Sequence, residues 1–270
     1  MPALFAGRLP RGALCITFDD GYRDTLEYAY PILKRYDVPF TVYVATSFAD
    51  RIGELWWLAL EAVIAQNELV GLRLDGSDRW FECRNFQEKR AVFDYIYYWL
   101  RQLDTEEELR RVMRELTIRH RVDMTSFCKD LCMDWRELSK LAADPLVSIG
   151  AHTVSHPILT KLGESAARAE LANSRAVIEA SLGVRPRHFA YPVGDRQSAG
   201  PREFRIAADL GFDTAVTTRP GVIFREHANH LTALPRVSLN GTFQRTRYAK
   251  VLVSGAATGV WNGFRRVNVA

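Results

Sequence analysis

A chain of 270 residues, 47% hydrophobic and 25% charged, has the composition of an ordinary folded protein and can bury a substantial core, which excludes a disordered chain. Its 36 basic and 32 acidic residues leave a net charge of only +4, too small and too mixed along the chain to call for a nucleic-acid polymer as partner. No apolar run reaches membrane-spanning length, and Met1 to Pro10 lacks the pattern of a secretory leader. Four scattered cysteines fit no secreted disulfide framework, so a cytoplasmic location is expected.

In chain order, the first elements read strand, sharp turn, helix, strand. Residues 13–18 are apolar and extended and end in Asp19-Asp20-Gly21. Residues 22–36 carry Leu26, Tyr30 and Leu33 at helical spacing, Pro39 stops that helix, and residues 40–45 form a second strand. A βαβ start implies a parallel sheet with helices packed outside it. Cys15, inside the first apolar run, reads as a small buried hydrophobe. Cys128 and Cys132 read as buried thiols rather than a zinc site, because no second pair stands nearby.

Between residues 51 and 143 the pattern changes. Helical stretches are expected around 55–69, 86–103 and 106–120, with a hairpin turning at Gly76-Ser77-Asp78 between strands at 72–74 and 80–82. This aromatic-rich block is expected to be a mainly helical insertion (51–143) within a single domain spanning 1–270. Trp56 and Trp57 could stack on a sugar ring, although an apolar stripe more often belongs to a core.

The strand–helix rhythm resumes at residues 146–151, followed by a helix from Glu164 to Leu182 that Gly183 ends. Short strands are expected at 188–191, 214–217 and 236–239, with a helix over 202–210. Residues 244–266 are expected to form one amphipathic helix with a basic tip at Arg265 and Arg266, packed on the body, with a weak membrane-surface contact as the alternative. The alternation fits a βα barrel or a related α/β fold.

Two clusters carry chemistry. Asp19 and Asp20 end the first strand, where parallel α/β folds build their ligand sites. Two adjacent carboxylates repel unless a cation or a shared proton relieves them, although a polar turn that caps the next helix would also use them. The second cluster, His152-Thr153-Val154-Ser155-His156, follows another strand. Thr153 stands where a helical zinc protease needs glutamate, and Pro157 disfavours helix at His156, so a loop brings the two imidazoles together. One carboxylate and two imidazoles suit one divalent metal: Zn²⁺ first, with Co²⁺, Fe²⁺, Mn²⁺ or Ni²⁺ as alternatives. With Asp20 as ligand, Asp19 is free to take a proton from water whose pKa the metal lowers towards ~7.

The strings TFDDG (17–21), SIGAHTVSHPIL (148–159) and FAYPVGD (189–195) resemble, in order and context, the first three motifs of the polysaccharide deacetylases related to the nodulation chitooligosaccharide deacetylase, carbohydrate esterase family 4. The resemblance covers about residues 14–46 and 133–240. The middle block, with Trp56-Trp57 and Met133-Asp134-Trp135, looks like an insertion in members linked to bacterial surface-polysaccharide assembly.

That resemblance implies a distorted (β/α) barrel of the polysaccharide deacetylase type. It also implies metal-dependent removal of an N-acetyl or other small N-acyl group from an amino sugar. Asp19 would be the general base, and Asp20, His152 and His156 the metal ligands. The backbone N–H of Tyr191 would bind the developing oxyanion, a contact worth ~3 kcal/mol in comparable sites.

Two departures stand out. Ala190 occupies the place of an arginine that orients the base in many members, and Val237, after Leu234-Pro235-Arg236, that of a histidine acid. Arg236 is then expected to orient Asp19, with His230 or His188 as acid, or Asp19 itself returning the proton. The substrate would be an N-acetylated sugar, an oligosaccharide, a lipid-linked saccharide or a nucleotide sugar. Alternatives are a sugar O-deacetylase, an Fe²⁺ oxygenase built on two histidines and a carboxylate, and a non-catalytic sugar-binding module. Nothing in the sequence fixes the oligomeric state.

Overall fold

Short β-rich runs bounded by turns become eight strands: β1 (Ile16–Phe18), β2 (Phe40–Val44), β3 (Leu69–Leu74), β4 (Ser77–Glu82), β5 (Val147–Ala151), β6 (His188–Ala190), β7 (Thr214–Pro220) and β8 (Leu234–Arg236). They are seen in a computed structural model that describes residues 12–74, 76–241 and 244–269; the leader reading of Met1 to Pro10 falls outside those residues. Six strands form one sheet in the order β1-β2-β5-β6-β7-β8, every neighbouring pair parallel, while β3 and β4 pair as an antiparallel hairpin. The parallel sheet is curled with helices around it, as the distorted (β/α) barrel requires.

The chain divides into two compact units, Met1–Thr46 with Trp135–Ala270, and Ser47–Asp134. In the sheet unit the inner strands β2, β5 and β7 are mostly buried, as strands covered on both faces are. Tyr43, Ala190, Val216 and Leu234 meet in its core. Gly150 on β5 leaves room for Tyr43, since a Cβ there would lie 2.4 Å from the Tyr43 ring. The helix Glu164–Leu182 has the bounds its periodicity gives.

Several local expectations change. Cys15 is exposed, because β1 is the sheet's edge strand and only three residues long, so the chain before it stands outside the core. The first helix carries a π turn over Thr25–Ala29 before Tyr30–Arg35; Pro31 has no N–H to give the carbonyl four residues back, and the turn before it widens. β8 lies before the position expected for it. Pro235 reads as a breaker, but β8 is the other edge of the sheet, where a missing ladder N–H costs nothing. The C-terminal segment is two helices, Thr246–Val253 and Ala256–Trp261, split where Gly255 turns left-handed at φ 77°.

The Ser47–Asp134 unit is built from helices Trp56–Gln66, Phe86–Gln102, Glu106–Arg119 and Ser126–Leu131 with the β3–β4 hairpin. Asn85 and Thr105 cap two of these helices by accepting from the N–H groups of Glu88 and Glu108. Trp56 is fully buried and stacks on Tyr97 at 5.3 Å, which gives it the role of core residue. Glu54 joins Arg110 and Arg114. Cys128 and Cys132 are buried free thiols, as expected, and Cys83 is buried as well. The helix Trp135–Ala142, which the sequence places inside the insertion, belongs to the sheet unit. Among the described residues no helix is long and apolar enough to cross a membrane.

Candidate metal centre

Asp19, Asp20, His152, His156 and Arg236 all stand at or just beyond the C-terminal ends of parallel strands. After β1, Asp20 (φ 69°) and Gly21 (φ 71°) both take left-handed backbone, which turns the chain sharply beneath the two carboxylates. After β5, the N–H of His152 still donates to Val44 O at 3.0 Å, so this imidazole is fixed by the sheet ladder itself.

The loop beyond it is strained. Thr153 (φ 68°) and His156 (φ 56°) both sit in the left-handed region, a cost of about 1–3 kcal/mol each that persists only where surrounding contacts enforce it. Those contacts are present. Thr153 Oγ1 donates to His152 O at 2.5 Å and accepts from His156 N–H at 3.0 Å. Glu170, on the helix Glu164–Leu182, accepts from the N–H groups of Val154 (2.7 Å) and Ser155 (3.0 Å) and from the Ser155 hydroxyl (2.8 Å).

The result is a compact triad. His152 Nε2 and His156 Nε2 each lie 3.2 Å from the same oxygen, Asp20 Oδ1, and the imidazole centroids are 4.9 Å apart. Both histidines are buried. The three ligand atoms lie within 4.8 Å of one another, the one such group of three among the described residues.

His152 Nδ1 lies 2.7 Å from the carbonyl of Ala190, which can only accept, so Nδ1 carries the proton. The neutral ring then presents a lone pair at Nε2 towards Asp20 Oδ1, which is buried with no hydrogen-bond donor of good geometry. Lone pairs facing a buried carboxylate oxygen are repulsive until a cation or a proton comes between them. This donor set therefore fits a divalent ion, with the outer hydrogen bond of His152 already in place.

The electrostatics agree. Burial alone would raise the Asp20 carboxyl, but the two imidazoles, His156 above all, outweigh it and hold the group well below the usual carboxylate range. Burial pulls the His152 imidazole down, yet the close approach of the Asp20 carboxylate and the charge of Asp19 raise it on balance.

Beside the triad, Asp19 is clamped. Arg236 on β8 donates through both Nη atoms, each at 2.7 Å, to the two carboxylate oxygens, a bidentate fork. Its Nε donates to Thr217 O at 2.9 Å and its Nη1 also reaches Thr17 Oγ1 at 3.3 Å, so the guanidinium plane has no freedom to turn. Burial opposes the Arg236 charge, but Asp19 more than restores it. The fork that Ala190 cannot provide thus comes from the opposite edge of the sheet.

Three other expected residues are placed differently. The Tyr191 N–H donates to Val216 O at 3.1 Å, because β6 pairs with β7 one residue further than its formal end, so this amide is not open to an oxyanion. Its phenol is tied to Thr232 O at 2.7 Å, and burial raises its pKa well above the ordinary value. His188 lies at the start of β6, the end away from the triad, with Nδ1 2.8 Å from Thr214 Oγ1. His230 is exposed beside the turn Arg225–Asn229 and makes no hydrogen bond to Asp19 or the triad.

Glu170, the carbonyl of Ala190 and Val193 escape sequence reasoning. Val193 follows Pro192 with φ 60°, rare for a β-branched residue, in the loop after β6. A glutamate on an alanine-rich helix carries no signal of what it will hold.

The chain matches the polysaccharide deacetylase family over residues 6–71 and 92–215. Among solved structures it is similar to the deacetylase PplD of Streptococcus pyogenes in complex with acetate, with 19% identity and TM-score 0.57 over 93% of this chain and 75% of that one. It is also similar to IcaB of Ammonifex degensii (19%, TM-score 0.52, 94% and 78%) and to the deacetylase domain of BpsB from Bordetella bronchiseptica (18%, TM-score 0.52, 87% and 75%). At such identities the likeness is one of fold. A comparison with curated proteins gave no match.

Proposed function

The chain belongs to the polysaccharide deacetylase family, and from that premise we propose that it hydrolyses the N-acetyl group of an amino sugar in a bacterial surface polysaccharide or its precursor. One divalent ion, Zn²⁺ before Co²⁺, Fe²⁺, Mn²⁺ or Ni²⁺, would be held by Asp20, His152 and His156. The observation that carries this reading is the pair of Nε2 atoms converging at 3.2 Å on one buried carboxylate oxygen, next to a second carboxylate fixed by an arginine fork.

When bound, such an ion polarises the acyl carbonyl and lowers the pKa of water towards ~7. Asp19 takes the proton as the water oxygen attacks the carbonyl carbon, and Arg236 keeps its carboxylate in line. The C–N bond then breaks, and acetate and a free amine leave. With His188 tied to Thr214 and His230 exposed, Asp19 is the group left to return the proton to the amine. The Val193 N–H, which makes no hydrogen bond among the described residues, replaces that of Tyr191 as donor to the oxyanion.

The departures at Ala190 and Val237 are the only support for a non-catalytic sugar-binding module, and the Arg236 fork on Asp19 argues against that reading. The free cysteines support a reducing, cytoplasmic setting and hence a precursor as substrate.

Acetate release from N-acetylglucosamine oligosaccharides tests the reading. Asp19→Asn should lose about 10²–10⁴-fold in rate while keeping its metal. Undiminished release by that variant would remove Asp19 as the base.

A further inference from the structure

After Glu226 the chain contains no acidic residue. The last 44 positions hold Arg236, Arg245, Arg247, Lys250, Arg265 and Arg266, whereas the preceding 226 residues carry 30 basic against 32 acidic groups. Arg236 is committed to Asp19, and Arg266 pairs with Glu226 at 3.2 Å. The remaining four are exposed and face no carboxylate among the described residues.

Exposed apolar side chains interleave with these cations. Val251 and Val253 stand on the helix Thr246–Val253, and Val260 and Trp261 on Ala256–Trp261, with Phe264 just beyond. Trp261 and Phe264 are each 79% exposed. Large aromatic side chains left in water beside cations that face no carboxylate, over two consecutive short helices, concentrate exposed apolar and basic groups in one segment of the chain.

The place of this segment is fixed. Asn262 Nδ2 donates to Pro220 O at 2.8 Å, and Gly255 packs against Val222, so both helices rest on the chain leaving β7. Pro220 pairs with Arg236, the residue that clamps Asp19. The surface therefore lies at the same end of the parallel sheet as the triad.

We propose that the Thr246–Val253 and Ala256–Trp261 helices, with Phe264 and Arg265, dock this protein on an anionic lipid bilayer. Apolar residues entering the interface and cations meeting anionic headgroups are the two signals stable surface binding requires. A second copy of the chain fits poorly, because a self-complementary face would set these cations against each other with no acidic group to answer them. The docking stands without the deacetylase reading. Its corollary, that the acetylated sugar is carried at the lipid surface, rests on that reading.

The test is co-sedimentation of the whole protein with vesicles of phosphatidylcholine alone, or of phosphatidylcholine with phosphatidylglycerol. Binding is expected only to the anionic vesicles and should weaken as salt is raised. Trp261→Ser with Phe264→Ser should weaken it at least about tenfold, and each of Arg247→Ala and Lys250→Ala by about fivefold. Metal content and acetate release from a soluble oligosaccharide should be unchanged in all of them.

The proposal is overturned if wild type ignores anionic vesicles, or if both kinds of variant bind like wild type. It is equally overturned if sedimentation velocity shows a dimer that the Trp261 and Phe264 changes dissociate while vesicles have no effect. Vesicle binding without acetate release from any substrate would sink the deacetylase reading and leave the docking intact.

Discussion

The metal triad and the base are held in opposite ways. The triad's loop is fixed largely by near neighbours: Thr153 bridges His152 and His156 within five residues, and Glu170 reaches back 15 and 16 positions along the chain. The base is fixed by a single residue 217 positions away, across the whole sheet. Ligand placement is thus mostly a property of one loop and its supporting helix, while base placement depends on the curled sheet bringing its two edge strands, β1 and β8, together. The ligands should tolerate loss of the clamp, and the base should tolerate loosening of the loop.

The sharpest way to separate the two is Arg236→Lys. A lysine keeps the charge but cannot make the fork, so Asp19 should swing. We expect kcat to fall on the order of 10²-fold with KM little changed and metal content intact. If metal is lost as well, the two halves are not independent.

A smaller effect is expected from Glu170→Gln, measured as Zn²⁺ affinity by competition with a chelator. An amide can accept one or two of the three hydrogen bonds but not all with a charge behind them, so the loop's left-handed residues relax. Affinity should drop about tenfold, towards the low end of what outer hydrogen-bond partners contribute. An unchanged affinity would mean that Thr153 alone holds the loop.

The mildest probe is pH. The His152 imidazole is raised in the metal-free site by Asp20 and Asp19, so protons compete for it from above the ordinary histidine value as pH falls. Asp20 stays ionised far below that. Metal affinity should therefore decline on acidification along a histidine titration, with no separate carboxylate step. A loss that begins only in the carboxylate range would assign the weak point to Asp20 instead.

What the sequence revealed follows the same division. Local signals were readable: the His152–His156 spacing, Asp19-Asp20 at a strand end, and a helix closed by Gly183. Arg236 could be named as a clamp only because the usual position was visibly vacant at Ala190. Features set by tertiary context were not readable. The Tyr191 N–H is taken by Val216, because strand pairing runs one residue past the motif's apparent boundary. β8 begins at Leu234 because an edge strand accepts Pro235. Cys15 is exposed because the first strand is short and at the rim. Glu170 is one more polar residue on an amphipathic helix until the loop packs against it. In each case the deciding partner is distant in sequence and chemically ordinary, so no spacing or composition announces it.

The account turns on Asp20, His152 and His156 holding a metal ion. Elemental analysis of the purified protein, reconstituted with Zn²⁺ at neutral pH and compared with His152→Ala, tests it most directly. We predict about one ion per chain in the wild type and a near-complete loss in the variant, with the fold retained by circular dichroism. Wild-type protein that binds no ion, or a His152→Ala variant that binds it equally well, would contradict the site and the hydrolytic mechanism built on it.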